Sequence, residues 1–536
     1  MAFSRHIARQ CQKRLSNTSI RLVSSTGRAR QSPQEASNSG SQPQEFGEFL
    51  IRKPVSRIEP RKVHPRVRSQ AEAARLRAIQ TRPGNDEATL INIAHEEDEY
   101  RFAPISLRDL CQCSKCVDPS TRQKLVYTPD IPSDIRAKEV TFDSGNVSIK
   151  WENDAPGYAE DHVTTLPLKG LMRLGGRGRM TPEQAPIPRA YWNTQMYTSE
   201  TSDFDYEDYM SSDSTLYTAA RQLHTHGLLF VTNVPEDEES VERVAERIGP
   251  LKTTFYGKTW DVRSVPEAKN VAYTAQNLGF HMDLMYMKQP PHLQLLHCIR
   301  SSSAGGASLF ADSFLAAKEL SETDSYSYAT LSSRTVEFHY DHPDHYYHQS
   351  RRVIEEAPIQ RGALKMLSHI DLGRAQTNYP GLEHLKTLKP IDFLESVAWS
   401  PPFQGPFKLD SDPSHANSHH RTGQPIEAGL GAKLYNEKVV QWHAAAKKFN
   451  DLIHRPEVIY ERLMKPGECV IFDNRRVLHA RKAFEVGDAG KERWLRGAYI
   501  DKDPFMSKLK ILSERFEKEE KEMGPEELER AMSMDV

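Results

Sequence analysis

The sequence predicts a mainly β protein with flanking helices, in which an antiparallel sandwich follows a smaller β-rich domain. Beyond about residue 250, short apolar runs are separated by Gly, Pro and Asp, the pattern of antiparallel strands rather than of a βαβ sheet. A helix, a buried strand and a second helix are legible just ahead of them. Well upstream, three cysteines crowd into Cys111-Gln-Cys113-Ser-Lys-Cys116, although the whole chain holds only 6.

With 536 residues and 38% hydrophobic content, the chain is long enough for more than one domain and for a full core. Its formal charge of -2 gives no global reason to expect a nucleic-acid partner, which calls for a concentrated basic face. No uninterrupted apolar run approaches the roughly 20 residues of a membrane-spanning helix, so no membrane partner is expected either.

The first 34 residues depart from this average. They carry Arg5, Arg9, Lys13, Arg14, Arg21, Arg28 and Arg30, many Ser and Gln, and no acid before Glu35. Phe3, Ile7, Leu15, Ile20 and Leu22 interleave with these bases and can form one apolar face. This is the composition of a mitochondrial transit peptide, so residues 1–34 are expected to direct the chain to the matrix; a disordered basic tail is the alternative. Residues 35–87 are rich in Ser, Gln, Pro and Arg, bury too little apolar surface to offset their conformational entropy, and read as a disordered linker. Structure is expected to begin near Ala88, where ATLINI is short, apolar and β-prone.

The clustered thiols do not suit a disulfide framework in so large a chain, and Cys11, Cys298 and Cys469 are scattered. Three thiolates from one tight loop leave a tetrahedral zinc one ligand short, and His162 is the candidate to complete it. Incidental thiols are the alternative. Filled by four protein ligands, such a zinc is structural, and it would hold together a small domain of about residues 88–180.

Farther on, residues 214–226 read as a helix opened by a Ser or Asp cap and stopped by Gly227; LLFVTNV follows as a buried strand and SVERVAERIG as a second helix. His281-Met-Asp283 then places two metal-binding side chains at i and i+2, on one face if the segment is a strand. His479 follows in VIFDNRRVLHARKAF. Two imidazoles and one carboxylate leave several positions of an iron(II) open, the ligand set of non-haem oxygenases. An HxD pair by itself is weak, since His339, His342 and His369 begin others; a buried histidine satisfied by its neighbour is the competing reading. Arg493, fourteen residues beyond His479, adds a planar fork suited to a carboxylate such as that of 2-oxoglutarate.

Longer motifs carry a resemblance. FYGKTWDV, KNVAYTAQNLGFHMDLMY, LQLLHCIRSSSAGGASLFADSF, CVIFDNRRVLHARKAF and LRGAYID, with SLRDLCQCSKC upstream, resemble the γ-butyrobetaine dioxygenase family, TauD-like enzymes related to trimethyllysine dioxygenase. The resemblance runs, with gaps, over about residues 88–515 and is weakest between about 320 and 430. It implies a small zinc-binding N-terminal domain and a double-stranded β-helix (jelly-roll) dioxygenase domain over residues 186–515; beyond it, residues 516–536 read from their composition as a charged C-terminal helix or tail.

Carried over residue by residue, it implies His281, Asp283 and His479 for iron(II), Arg493 and Ser308 for 2-oxoglutarate, and Cys111, Cys113, Cys116 and His162 for zinc. Tyr256, Trp260, Tyr273 and Tyr499 match an aromatic cage, and Asn270 matches a polar pocket residue. Such a cage suits a trimethylammonium group, which offers no hydrogen-bond donor and is held over electron-rich ring faces.

The implied activity is hydroxylation of γ-butyrobetaine to L-carnitine, with O2 and 2-oxoglutarate consumed and ascorbate as an iron reductant. Trimethyllysine is the alternative substrate, and an inactive quaternary-ammonium-binding relative the alternative class. Where the family carries a second pocket asparagine, this chain reads SVAWSPPFQGPFKLD, without one. A homodimer is compatible with the sequence, which does not fix the oligomeric state.

Overall fold

A computed structural model of the chain describes residues 77–81, 90–95, 98–158, 161–174, 187–263, 275–301, 305–357, 390–407, 428–485 and 493–522. The expected targeting segment, most of the expected linker, and Asn270 and Tyr273 lie outside the described residues. Contacts divide the chain into two compact units, one within Arg21–Ala185 and one drawn from Pro186–Val536.

The first unit opens with an antiparallel sheet of β1 (Arg77–Thr81), β2 (Leu90–His95) and β3 (Asp98–Phe102). The strand β1 falls in the stretch expected to be linker. Pairing with β2 satisfies its main-chain groups, a gain that composition does not register. Helix α1 (Pro104–Asp109) leads into the cysteine loop, and β4 (Ala137–Asp143), β5 (Asn146–Trp151) and β6 (Val163–Pro167) form a second antiparallel sheet. Along β5, Val147, Ile149 and Trp151 are buried while Lys150 faces solvent, the period of two that packs one sheet face on a core. Ile91, Ile93, Leu107 and Leu166 complete that core.

In the second unit, β7 (Phe204–Asp205) leads to helix α2 (Asp213–His226), β8 (Leu228–Thr232) and helix α3 (Ser240–Ile248). The Ser212 hydroxyl accepts a hydrogen bond from the Thr215 N–H and caps α2, which ends at Gly227 with φ 75°. A Cβ there would sit 3.0 Å from Val477 Cγ2, so both conformation and space require glycine.

Next come β9 (Thr259–Arg263), β10 (Leu278–His281), β11 (Leu293–Arg300) and β12 (Ser308–Asp312), then helices α4 (Ser313–Thr323) and α5 (Ser325–Ser333). The hairpin β13 (Thr335–His342) and β14 (His345–Arg352) and the pair β15 (Ile354–Glu356) and β16 (Leu394–Val397) occupy the stretch where the resemblance is weakest. Helix α6 (Ala428–Ile453), strands β17 (Tyr460–Arg462), β18 (Glu468–Asp473), β19 (Val477–Arg481) and β20 (Trp494–Ile500), and helix α7 (Lys502–Glu522) close the unit.

Two sheets organise these strands. One runs β7-β8-β18-β11-β20-β9, antiparallel except at the β7–β8 edge, and the other β10-β19-β12-β17. Alternation along β11 sends Leu293 and Leu295 into a core shared with α2, α3 and α7, and Gln294 and Leu296 into a cavity walled by both sheets. Because both faces of β11 are covered, every residue of LQLLHCI is buried, the polar Gln294 and His297 included.

Helix α7 begins at Lys502, upstream of the charged segment expected over 516–536, and Phe505, Leu509, Leu512 and Phe516 are buried in that core. Each such side chain contributes about 1.5–3 kcal/mol by burial, which outweighs the tendency of its charged face to stay solvated.

Candidate active site

Strand pairing creates the metal site. β10 and β19 run antiparallel with His281 directly opposite His479, and the ring centroids lie 4.1 Å apart. Asp283 joins them: donor atoms of the three residues all lie within 4.8 Å of one another, and His281 Nε2 is 3.4 Å from Asp283 Oδ1.

The expectation that His281 and Asp283 share a strand face is corrected. Strand β10 ends at His281, and the chain turns through Leu284 at φ 60°, the left-handed region that costs a branched residue on the order of 1–3 kcal/mol. Asn474 holds this turn, accepting from the Asp283 N–H at 2.8 Å and donating to the Asp283 carbonyl at 2.9 Å. The turn, not the pleat, brings the carboxylate round to the imidazoles.

The chemistry of the donor set fits a divalent metal. His281 Nδ1 lies 2.9 Å from the Gly279 carbonyl oxygen; donation there leaves Nε2 with its lone pair for a metal. His479 is buried beside Phe472, its Nδ1 has no hydrogen-bond partner among the described residues, and burial together with the neighbouring His281 pushes its pKa down to about 3, the neutral form a metal binds. Burial opposes ionisation of Asp283, but hydrogen bonding and charge from the two histidines and the Tyr499 hydroxyl outweigh it and hold the group well below the usual carboxylate range.

The triad lines a cavity with about 860 Å³ of empty space, counted to its mouth and including open solvent. At one end lie Ser308, Arg481 and Arg493, with Ser308 opposite Arg481 in the β12–β19 register. Burial lowers the Arg493 pKa and, with Arg493 itself, pushes that of Arg481 down to about 10. Among the described residues no acidic side chain pairs with Arg493, so this buried guanidinium is suited to an incoming carboxylate.

Part of the lining is aromatic. Tyr256, Trp260 and Tyr499 line the cavity, and Trp260 stacks on Tyr499 with centroids 3.9 Å apart. Gly497 makes that stack possible, since a Cβ would lie 2.4 Å from the indole. Tyr286 and Phe403 also line the wall; their signal in the sequence was no more than that of any aromatic near a motif. The segment around Trp399 adjoins the site: the Trp399 carbonyl accepts from the Met282 N–H at 2.8 Å, and Pro402 and Phe403 enter the lining.

In the first unit, His162 Nε2 lies 3.6, 3.5 and 3.3 Å from the sulfurs of Cys111, Cys113 and Cys116. Ligands across a tetrahedral zinc are about 3.5 Å apart, given bonds of roughly 2.3 Å to sulfur and 2.05 Å to nitrogen. The other ring nitrogen of His162 meets Asp154 Oδ2 at 2.6 Å, and Arg108 donates to both Asp154 Oδ1 and Cys116 Sγ. These four residues can hold a metal ion.

The model of the Taurine catabolism dioxygenase TauD, TfdA family matches residues 184–499, and that of the Gamma-butyrobetaine hydroxylase-like, N-terminal family matches residues 85–159. Dioxygenase str8 of Strobilurus tenacellus is 31% identical over 432 residues, covering 78% of this chain and 86% of its own. Gamma-butyrobetaine dioxygenase of Homo sapiens is 28% identical over 440 residues, 82% of this chain and 98% of its own. Trimethyllysine dioxygenase of Meyerozyma guilliermondii is 26% identical over 426 residues, 77% of this chain and 90% of its own. The chain belongs to the TauD, TfdA family and is an iron(II)- and 2-oxoglutarate-dependent dioxygenase.

Proposed function

We propose that the enzyme hydroxylates a trimethylammonium substrate, with γ-butyrobetaine, converted to L-carnitine, as the preferred one. The observation that carries this reading is a single cavity holding the triad, a buried arginine and an aromatic wall. Iron(II), with 2-oxoglutarate and O2, supplies the oxidation: one oxygen atom enters a substrate C–H bond, the other enters succinate, and carbon dioxide leaves.

The chain's own residues do the rest. His281, Asp283 and His479 hold the iron, Arg493 and Ser308 seat the far carboxylate of 2-oxoglutarate, and the apolar wall of Leu278, Leu296 and Leu495 excludes water. Tyr256, Trp260 and Tyr499 receive the ammonium head, which fixes the carbon presented to the metal. Trimethyllysine carries an additional α-ammonium group, and among the described lining residues Asp283 is the sole acid, already committed to the triad. That favours γ-butyrobetaine.

The two facing sheets are read as a double-stranded β-helix, and the Cys111, Cys113, Cys116 and His162 cluster as a structural zinc site. The composition of residues 1–34 supports import into mitochondria.

Substrate-dependent formation of succinate tests the reading. γ-Butyrobetaine is expected to outcompete its dimethylamine and primary-amine analogues and to give L-carnitine labelled from 18O2. Trp260→Leu removes a ring face but keeps apolar volume, so KM for the quaternary compound is expected to rise about 2- to 30-fold, the equivalent of roughly 0.5–2 kcal/mol. If neither γ-butyrobetaine nor trimethyllysine stimulates 2-oxoglutarate turnover, the cage assignment fails.

Arg493→Met tests the other end of the cavity. Losing a buried charge-assisted contact costs about 2–5 kcal/mol, so the KM for 2-oxoglutarate is expected to rise on the order of 100-fold with iron content unchanged. An unaltered KM removes Arg493 from the co-substrate site.

A further inference from the structure

The triad explains Asp283 Oδ1, which faces His281 Nε2, but leaves its second oxygen to be accounted for. Asp283 Oδ2 accepts two hydrogen bonds, each of 2.8 Å, from the Tyr499 hydroxyl and from Gln294 Nε2. The donors come from β20 and β11, which are paired so that Gln294 stands directly opposite Tyr499. One cross-strand pair therefore presents two donors to one oxygen. Both side chains are buried, at 1% and 2% exposure, so neither can turn to water instead.

We propose that Gln294 and Tyr499 are positioning residues that reserve Asp283 Oδ2 and so offer the metal Oδ1 alone. A carboxylate free at both oxygens can chelate a metal or rotate away from it, and either would cost the iron an open position or a ligand. With Oδ2 capped twice, its lone pairs are spent on fixed donors and the carboxylate plane is set. The Asn474 contacts to the backbone of the same residue fix the other end of the side chain, so Asp283 is restrained at both ends.

Tyr499 thereby has two functions on one ring. Its face stacks on Trp260 at 3.9 Å, in the aromatic wall, while its hydroxyl holds the metal-binding carboxylate. One rigid side chain thus links the aromatic wall directly to the Asp283 carboxylate. This assignment rests on the triad alone and does not depend on which substrate the wall receives.

Full-length Tyr499→Phe and Gln294→Leu separate the two functions, because the first keeps the ring and the second keeps approximate volume. Anaerobic titration with Co(II), without substrate, reads affinity and, from the intensity of the visible d–d bands, coordination number. Each variant is expected to bind Co(II) about 10- to 100-fold more weakly and to show a changed band pattern. Tyr499→Phe is expected to leave the zinc content intact, which separates a local effect from misfolding. Gln294→Glu, which sets a second carboxylate against Asp283, is expected to bind Co(II) more weakly than Gln294→Leu. Affinity and spectrum within twofold of wild type in both Tyr499→Phe and Gln294→Leu would overturn the proposal. Loss of substrate response with unchanged metal binding would also overturn it, since Tyr499 would then act through its ring alone.

Discussion

His281→Ala and Asp283→Ala are each expected to reduce substrate-dependent succinate formation to background. The two residues and His479 form one of two groups of metal-ligand side chains gathered among the described residues, and this one lies in the cavity. Removing an outer-shell partner of a metal ligand typically costs 10- to 100-fold, so removing a ligand from a three-ligand site is expected to cost more than about 100-fold in metal affinity. The effect must also be local. His281 sits at the end of β10, where its main-chain pairing with His479 survives truncation, and Asp283 lies in a turn held by Asn474 through backbone contacts. Near-native melting and full zinc content are therefore expected in both variants, with iron content near zero. Turnover comparable to wild type in either one refutes the triad.

What was legible in the sequence follows from how local each signal is. The caps of α2 are legible because a Ser hydroxyl three residues before the N–H that donates to it and a glycine just past the last turn are one-dimensional facts. The Cys111, Cys113 and Cys116 loop was local as well, and His162, assigned from the thiols' unmet fourth position, lies at the cluster.

Asn474, Gln294 and Arg481 escaped notice. Asn474 lies 191 positions from Asp283 and Arg481 lies 205 from Gln276, and even Gln294, 11 positions from Asp283, reaches it from a different strand, so nothing in composition or periodicity marks such a pairing. The turn at Asp283 is illegible for a related reason: two metal ligands at i and i+2 fit a pleat equally well, and the left-handed Leu284 and its tertiary clamp are what distinguish the turn. The strand β1 escaped because its support is backbone pairing, while composition weighs side chains.

Cys113→Ser is expected to strip the zinc and unfold the unit within Arg21–Ala185, while iron binding in the other unit persists. The unit is small, and its core of Ile91, Ile93, Leu107, Val147, Ile149 and their neighbours packs directly on Cys111 and Cys116. A structural zinc contributes on the order of 10–16 kcal/mol of apparent binding energy, comparable to or larger than the whole stability of an ordinary domain.

Without the metal the site is a liability rather than a neutral loss. Burial and the neighbouring Cys111 push the Cys116 pKa up to about 12, so the thiol is protonated and the cluster has no anionic partner for Arg108 beyond Asp154. Arg108 and Asp154 are both buried, and His162 leans on the same carboxylate. Serine keeps a polar atom at 113 but no soft ligand, and zinc prefers thiolate, so the variant cannot rebuild the tetrahedron. Metal analysis should therefore find about one zinc per chain in the wild type and none in the variant, with limited proteolysis cutting within residues 98–174. Equal zinc in the variant would remove Cys113 from the ligand set. Zinc lost without any gain in proteolytic sensitivity would show that the core alone supports the unit.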